Sequence, residues 1–197
     1  MESEINGHLV LLMAPSGSGK KTLIDGLGDL QDRMYFAKTF TSRTRRTESE
    51  ENPKYEFIAL EEFEAMVKAE EFVEWANFSG NLYGTAKSEI LDALQKPQVV
   101  FKEMELQGVQ QIKKLVPDNK LTIIYIDAGN WEELQKRIVS RASITDGELE
   151  LRRQRYEEEV TFKDEAEIII ANHNGMSEAA QANFKTVIAG IINSVEQ

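Results

Sequence analysis

The sequence predicts an α/β fold: a parallel sheet flanked by helices on both faces, with a mainly-β lobe inserted into it. Three observations predict this. An apolar run over 8–14 leads straight into a glycine-rich turn and then into a helix-compatible stretch. Beyond it, short runs rich in β-branched or aromatic residues alternate with segments of helical spacing. Between 35 and 85 this alternation gives way to mostly strand-like segments, as expected of an insertion.

The first helix starts near Lys20 and ends near Gly26 and Gly28, because each glycine costs about 1 kcal/mol in a helix interior. "MYFAKTF" (34–40) is expected to be a strand, 41–54 a polar, basic loop, and "YEFIAL" (55–60) a short strand. "LEEFEAMVKAEE" repeats its apolar residues Phe63, Met66 and Val67 at helical spacing. "FVEWANFSGNLYGT" (72–85) alternates around the turn signal "SGN" and reads as a hairpin. A helix over 86–96 is closed by Pro97, and strand 98–105 and helix 106–116 follow. The remaining elements are strand 120–127, helices over 130–141 and 147–160, strand 167–171 and a C-terminal helix over 176–195.

At 197 residues the chain is one domain's worth and is long enough to bury a proper core. It has no cysteine, so neither disulfides nor thiolate metal sites are available. The apolar stretch near the N-terminus is too short for a membrane span and runs into the glycine loop, so a buried strand and a cytoplasmic location are expected. A net charge of −11 argues against a nucleic-acid partner. The cations nevertheless cluster, at Lys20 and Lys21, at Arg43, Arg45 and Arg46, at Arg137 and Arg141, and at Arg152, Arg153 and Arg155. Such clusters suit a small anionic ligand in a cleft, or they decorate solvated helix faces.

"SGSGK" between an apolar strand and a helix has the context of a phosphate-binding loop. Gly17 and Gly19 let backbone N–H groups converge on phosphate oxygens, and Lys20 would reach the β and γ phosphates. Ser16, Gly17, Ser18, Gly19, Lys20, Lys21 and Thr22 are therefore the expected cradle for ATP. Two positions depart from the motif. Ala14 stands in place of a glycine, which is tolerable at negative φ. Lys21 stands where a hydroxyl normally meets Mg²⁺, and an ammonium cannot ligate a cation. Thr22 is no substitute, because one helical step turns it about 100° away. Either the metal is held by phosphates, water and acids, or Lys21 itself neutralises phosphate charge, or it points to solvent.

The segments "APSGSGKKT", "TFTSRTRR", "KYEF", "FVEWANFSGNLYGT", "LQGVQQI", "LQKRIVSR" and "IIIAN" resemble the guanylate kinase family, and the resemblance runs the length of the chain. It implies a P-loop NTPase-type sheet in a single domain, with a core (1–34, 86–129, 165–197), a GMP-binding lobe (35–85) and a helical lid (130–164). It further implies that Arg43 and Arg46, helped by Thr39, Tyr55 and Tyr83, hold the phosphate of GMP. Glu74 would accept hydrogen bonds from the guanine ring N–H and amino group, Thr85 would contact the guanine carbonyl, and Glu105 would lie at the guanine site. Adenine would leave the Glu74 carboxylate unpaired. Glu103 and Glu105 replace the family's usual aspartates, and on one strand they would share a face. Glu103 would lie near the magnesium. Lys102 is unexpected in a central strand, and its charge should exit to an edge or pair with a carboxylate.

In the lid, the resemblance assigns charge stabilisation to Arg137, Arg141 and Arg152, with Ala142 in place of a usual glycine. Asn172 is placed near the adenine. Arg153 and Arg155 fit a solvated face, and His8 and His173 are structural. The implied activity is phosphorylation of GMP by ATP with Mg²⁺, carried by Lys20, Arg46, Arg141 and Arg152. The alternative is a nucleotide-binding or protein-interaction module on the same scaffold with little turnover, which Lys21 and the two glutamates favour.

Overall fold

The computed structural model describes residues 4–45, 54–78, 80–141 and 144–197. Among these, five strands form the main sheet in the spatial order β2 (Met34–Phe36), β7 (Val99–Glu103), β1 (His8–Met13), β8 (Leu121–Asp127), β9 (Ile168–Ala171). Every neighbouring pair is parallel, so the carboxyl ends of all five strands open on one edge. In such sheets that edge is where ligands bind.

The sheet is buried on both faces, which is why β1 and β8 are apolar without alternation. Leu9, Leu11 and Met13 join a core with Ile90 and Leu94 of α3 (Lys87–Leu94) and Val109 and Ile112 of α4 (Leu106–Ile112). Val10 and Leu12 face the opposite way, towards Leu23 and Ile24 of α1 (Lys20–Asp25) and Phe184 and Ile188 of α7 (Ser177–Val195). Phe184 meets Phe101 edge-on at 6.5 Å, which ties α7 to the central strands.

A second sheet has the order β4 (Tyr55–Phe57), β3 (Thr39–Thr41), β6 (Asn81–Ala86), β5 (Phe72–Phe78). The expected hairpin is β5–β6, antiparallel from Phe72↔Ala86 to Phe78↔Asn81. Helix α2 (Leu60–Lys68) closes this small core by stacking Phe63 on Phe72 at 4.4 Å. Two further helices, α5 (Trp131–Arg141) and α6 (Asp146–Val160), pack around Leu134, Ile138, Leu149 and Tyr156. A reciprocal capping box between Thr145 and Glu148 starts α6. No helix among the described residues is long and apolar enough to cross a membrane.

Four expectations are corrected. The single strand over 34–40 is two strands in different sheets. Ala37 still donates to the Phe101 carbonyl (3.0 Å), but the Lys38 N–H turns to Glu89 Oε1 (2.8 Å), and the chain crosses there. The strand expected over 55–60 ends at Phe57, because Ala59 is the N-cap of α2. The strand expected over 98–105 ends at Glu103, so Glu105 is not its strand-mate but the N-cap of α4. After the Gly26 C-cap of α1, residues 28–33 form a 3₁₀ helix that the glycines had not suggested.

Candidate functional site

The turn after β1 is built by two glycines in the left-handed region, Gly17 at φ 87° and Gly19 at φ 93°. Space demands them as well. A Cβ on Gly17 would come within 2.9 Å of Ile138, and one on Gly19 within 2.7 Å of the Asn172 amide. That amide, itself buried, donates to the Ser18 carbonyl at 2.7 Å. Asn172 therefore braces the loop from the carboxyl end of β9.

The Lys20 ammonium is largely shielded from water and donates to the Ala14 carbonyl across the loop. Burial lowers its pKa, and the charges of Glu159, Glu103 and Glu105 oppose that shift. Lys21 takes the third of the courses open to it: it is 81% exposed and pairs with Asp25 one turn along α1. Ser16 is exposed and its hydroxyl accepts from Arg152 Nη1 of α6, so an arginine expected in the lid already reaches the loop. Thr22 is exposed on α1. Arg137 Nε donates to Asn174 beyond β9 (3.0 Å). Arg153 pairs with Glu157 on an exposed face, the solvated role expected of it.

On the second sheet, register brings the other expected residues together. Thr39 opposes Tyr55, Thr41 opposes Tyr83, and Glu74 opposes Thr85. The Tyr55 and Tyr83 rings meet edge-on at 6.3 Å. The Arg43 guanidinium lies over the Phe57 ring at 5.0 Å. Thr85 is fully buried and donates to Glu74 Oε1 at 3.4 Å. Burial, then the charge of Glu105, push the Glu74 carboxyl up to about 7; Lys102, the Thr85 hydroxyl and the Gly108 amide pull it down. Arg46 lies outside the described residues, as do the side chain of Arg141 and the whole of Ala142.

Lys102 corrects another expectation. It does not exit, and among the described residues no carboxylate is in direct contact with it; it stays 5% exposed, donating to Thr39 Oγ1 (2.7 Å) and the Ala37 carbonyl (3.2 Å). Burial brings its pKa down to about 8 against the charges of Glu74, Glu89 and Glu103. Glu103 is paired with Lys54 at 3.4 Å, and Glu105 is exposed at the start of α4.

Sequence reasoning missed several groups. Glu159, in the acidic run "YEEEV", is half-buried; burial pushes it up to about 7, with Lys20 opposing and Glu105 adding to the shift. Gly108 is required because a Cβ there would fall 2.4 Å from Glu74 Oε2; the signal was a glycine inside a helix. Asp127 at the end of β8 binds Lys163 (2.7 Å) and His173 (3.2 Å), joining the ends of the segments that flank α5 and α6. His8, hydrogen-bonded to Thr122 (2.8 Å), has the structural role expected of it.

The sequence model of the family described as guanylate kinase matches residues 6–189. A guanylate kinase of Synechococcus sp. is 35% identical over 168 residues, 85% of this chain and 76% of the relative. One of Clostridioides difficile is 35% identical over 188 residues, 95% and 88% of the two chains. Among solved structures, a guanylate kinase from Anaplasma phagocytophilum superposes with a TM-score of 0.64 at 20% identity, covering 93% of this chain and 85% of its own. A gluconokinase from Sinorhizobium meliloti superposes at 0.51 and 11% identity, covering 98% and 97%. These two structural likenesses speak to the fold alone.

The raised Glu74 pKa has a stability consequence. The folded carboxyl holds its proton up to about 7 against a reference of 4.5, so folding gains from protonation at low pH and loses that gain as pH rises through the window. Glu74→Gln removes the titration. Urea denaturation should find this variant more stable than the parent by about 2 kcal/mol near pH 8 and equal to it near pH 4.5. A difference that does not change with pH would contradict this reading.

Proposed function

The chain belongs to the guanylate kinase family, and on that premise we propose that it transfers the γ-phosphoryl group of ATP to the phosphate of GMP. The bond from γ-phosphorus to the β–γ bridging oxygen breaks, and one from γ-phosphorus to a GMP phosphate oxygen forms, giving ADP and GDP. The observation that carries the reading is that two half-sites are linked through shared acidic side chains. A shielded carboxylate with donors already aimed at it, Glu74 with Thr85 and Gly108, shares a network of acidic side chains with the ammonium of a glycine loop, Lys20.

The roles follow from chemistry. Ionised Glu74 accepts the guanine ring N–H and the amino group together, and the Thr85 hydroxyl is placed to turn to the carbonyl beside them. Adenine brings a lone pair to the ring position and loses both bonds. Tyr55, Tyr83, Thr39 and Arg43 surround the acceptor phosphate, joined by Arg46 as the resemblance implies. Lys20 leaves the Ala14 carbonyl for the β and γ phosphates, where charge builds up during transfer. Arg152, already at Ser16, reaches the same oxygens with Arg141 and Arg137, while Asn172 keeps the loop in shape. No protein nucleophile is needed, because positioning and electrostatics supply the catalysis.

Magnesium accompanies ATP in such transfers. The donor set here does not fit a directly coordinated ion. Lys21 offers no oxygen, Glu103 is engaged by Lys54, and among the described residues no group of three or more His, Asp or Glu is arranged to hold a metal. The ion belongs to the nucleotide, and no step above depends on the protein holding it. The alternative of a module without turnover gains no support from the comparisons.

A coupled assay with ATP and GMP should form ADP and GDP, with AMP a poor acceptor. Calorimetry detecting neither GMP nor ATP binding would overturn the reading. Lys21→Ser restores the missing hydroxyl. It should raise kcat/KM for ATP at limiting magnesium by about 3–10-fold, the scale of one added metal ligand. An unchanged magnesium titration would show that residue 21 does not reach the metal even as serine.

A further inference from the structure

We propose that Lys102 is a positioning and specificity-determining residue of the acceptor site: its buried ammonium ties the link between the two sheets to the central strand and supplies the counter-charge for Glu74. The second half of this proposal rests on the GMP reading above; the first does not.

The other buried members of β7, Val99, Val100 and Phe101, are apolar, and an apolar side chain would fill position 102 without desolvating a charge. The lysine is spent on a particular stretch of backbone. Residues 37 and 38 carry the chain from β2 in the main sheet to β3 in the second. That link is held at three points from the main-sheet side. The Phe101 carbonyl takes the Ala37 N–H, Glu89 of α3 takes the Lys38 N–H and the Tyr35 hydroxyl, and Lys102 grips the Ala37 carbonyl and the Thr39 hydroxyl. This segment is one of two links between the sheets, the other being the passage from β6 into α3, so Lys102 helps to set where Thr39 and its neighbours sit.

The same ammonium lies within electrostatic reach of acids on several elements, Glu74 of β5, Glu89 of α3 and Glu103 of its own strand, with Lys54 as an opposing cation. Around Glu74 the forces are opposed. Burial and Glu105 at the start of α4 favour the neutral acid; Lys102 of β7, the Thr85 hydroxyl of β6 and the Gly108 amide of α4 favour the carboxylate. Lys102 is the charged member of the second group. Guanine presents two donors side by side, which a carboxylate satisfies and a protonated carboxyl does not. The counter-charge therefore decides over which pH range the base is read.

Three variants separate the two duties. Lys102→Met removes donors and charge, Lys102→Gln keeps an amide donor without charge, and Lys102→Arg keeps both. In the nucleotide-free protein, the Glu74 carboxyl is followed by carbon NMR through a pH titration. Its midpoint should rise by about one pH unit in the Met and Gln variants and stay near the parent value in the Arg variant. Amide exchange over residues 37–40 should quicken in the Met variant. With GMP, the KM for GMP near pH 7.5 should rise about threefold in both neutral variants and approach the parent value near pH 9, while kcat and the KM for ATP hold. The Met and Gln proteins decide the matter even if arginine is too large for the site. An unmoved Glu74 midpoint together with unaltered exchange in the Met variant would overturn the proposal. A parent protein that binds no GMP overturns the function proposed above but leaves the titration and the exchange measurement to decide this one.

Discussion

Charge held away from water is the constraint on which the site depends. Lys20, Glu159, Glu105, Glu74 and Lys102 influence one another in succession, from the glycine loop to the link between the sheets. Four of the five are largely shielded, and at such places a charge is retained only with partners. Their partners within the chain are a loop carbonyl for Lys20, a threonine hydroxyl and a link carbonyl for Lys102, and a weak hydroxyl bond together with the Gly108 amide for Glu74. Nucleotides offer better ones. Phosphate oxygens suit the ammonium of Lys20, and paired N–H donors suit Glu74. Charges fixed in place by packing need no reorganisation to meet a ligand, which is the preorganisation that the proposed function calls for.

The two sheets make this possible by dividing the labour. A parallel sheet buried on both faces fixes the ends of β1, β7, β8 and β9 and so places Lys20, Glu103 and Asn172 rigidly. The smaller sheet carries Glu74, Thr85, Thr39, Tyr55 and Tyr83, the proposed contacts of the acceptor, on paired strands and joins the first through short links. Helix α6 brings Arg152 to the loop, and the segments flanking α5 and α6 are joined through Asp127 and Lys163. Closure of such parts excludes water and strengthens each charge interaction inside.

Much of this was legible in the sequence where a local rule and the tertiary structure agree. The apolar strand, the two left-handed glycines and the following helix announced the loop because each needs only its neighbours. The hairpin read over 72–85 was legible from alternation and its turn. The division of 34–40 between two sheets was not, because the crossing at Ala37 and Lys38 carries no glycine or proline and is set by bonds to Phe101 and Glu89, distant in sequence. Leu60 looked like the end of a strand because one apolar residue fits either period. Glu159 and Lys102 were hidden for the opposite reason. Charged residues default to solvent on sequence grounds, and only the packing of α6 and β7 shows that Glu159 is half withheld from it and Lys102 almost wholly.

The most direct measurement is a crystal structure with GMP and a non-hydrolysable ATP analogue bound together. The account predicts the Glu74 carboxylate against both the ring N–H and the amino group of guanine, and the Lys20 ammonium moved from the Ala14 carbonyl onto the donor phosphates. Both nucleotides seated in the cleft with Lys20 still on Ala14, or with Glu74 turned away from the base, would contradict it.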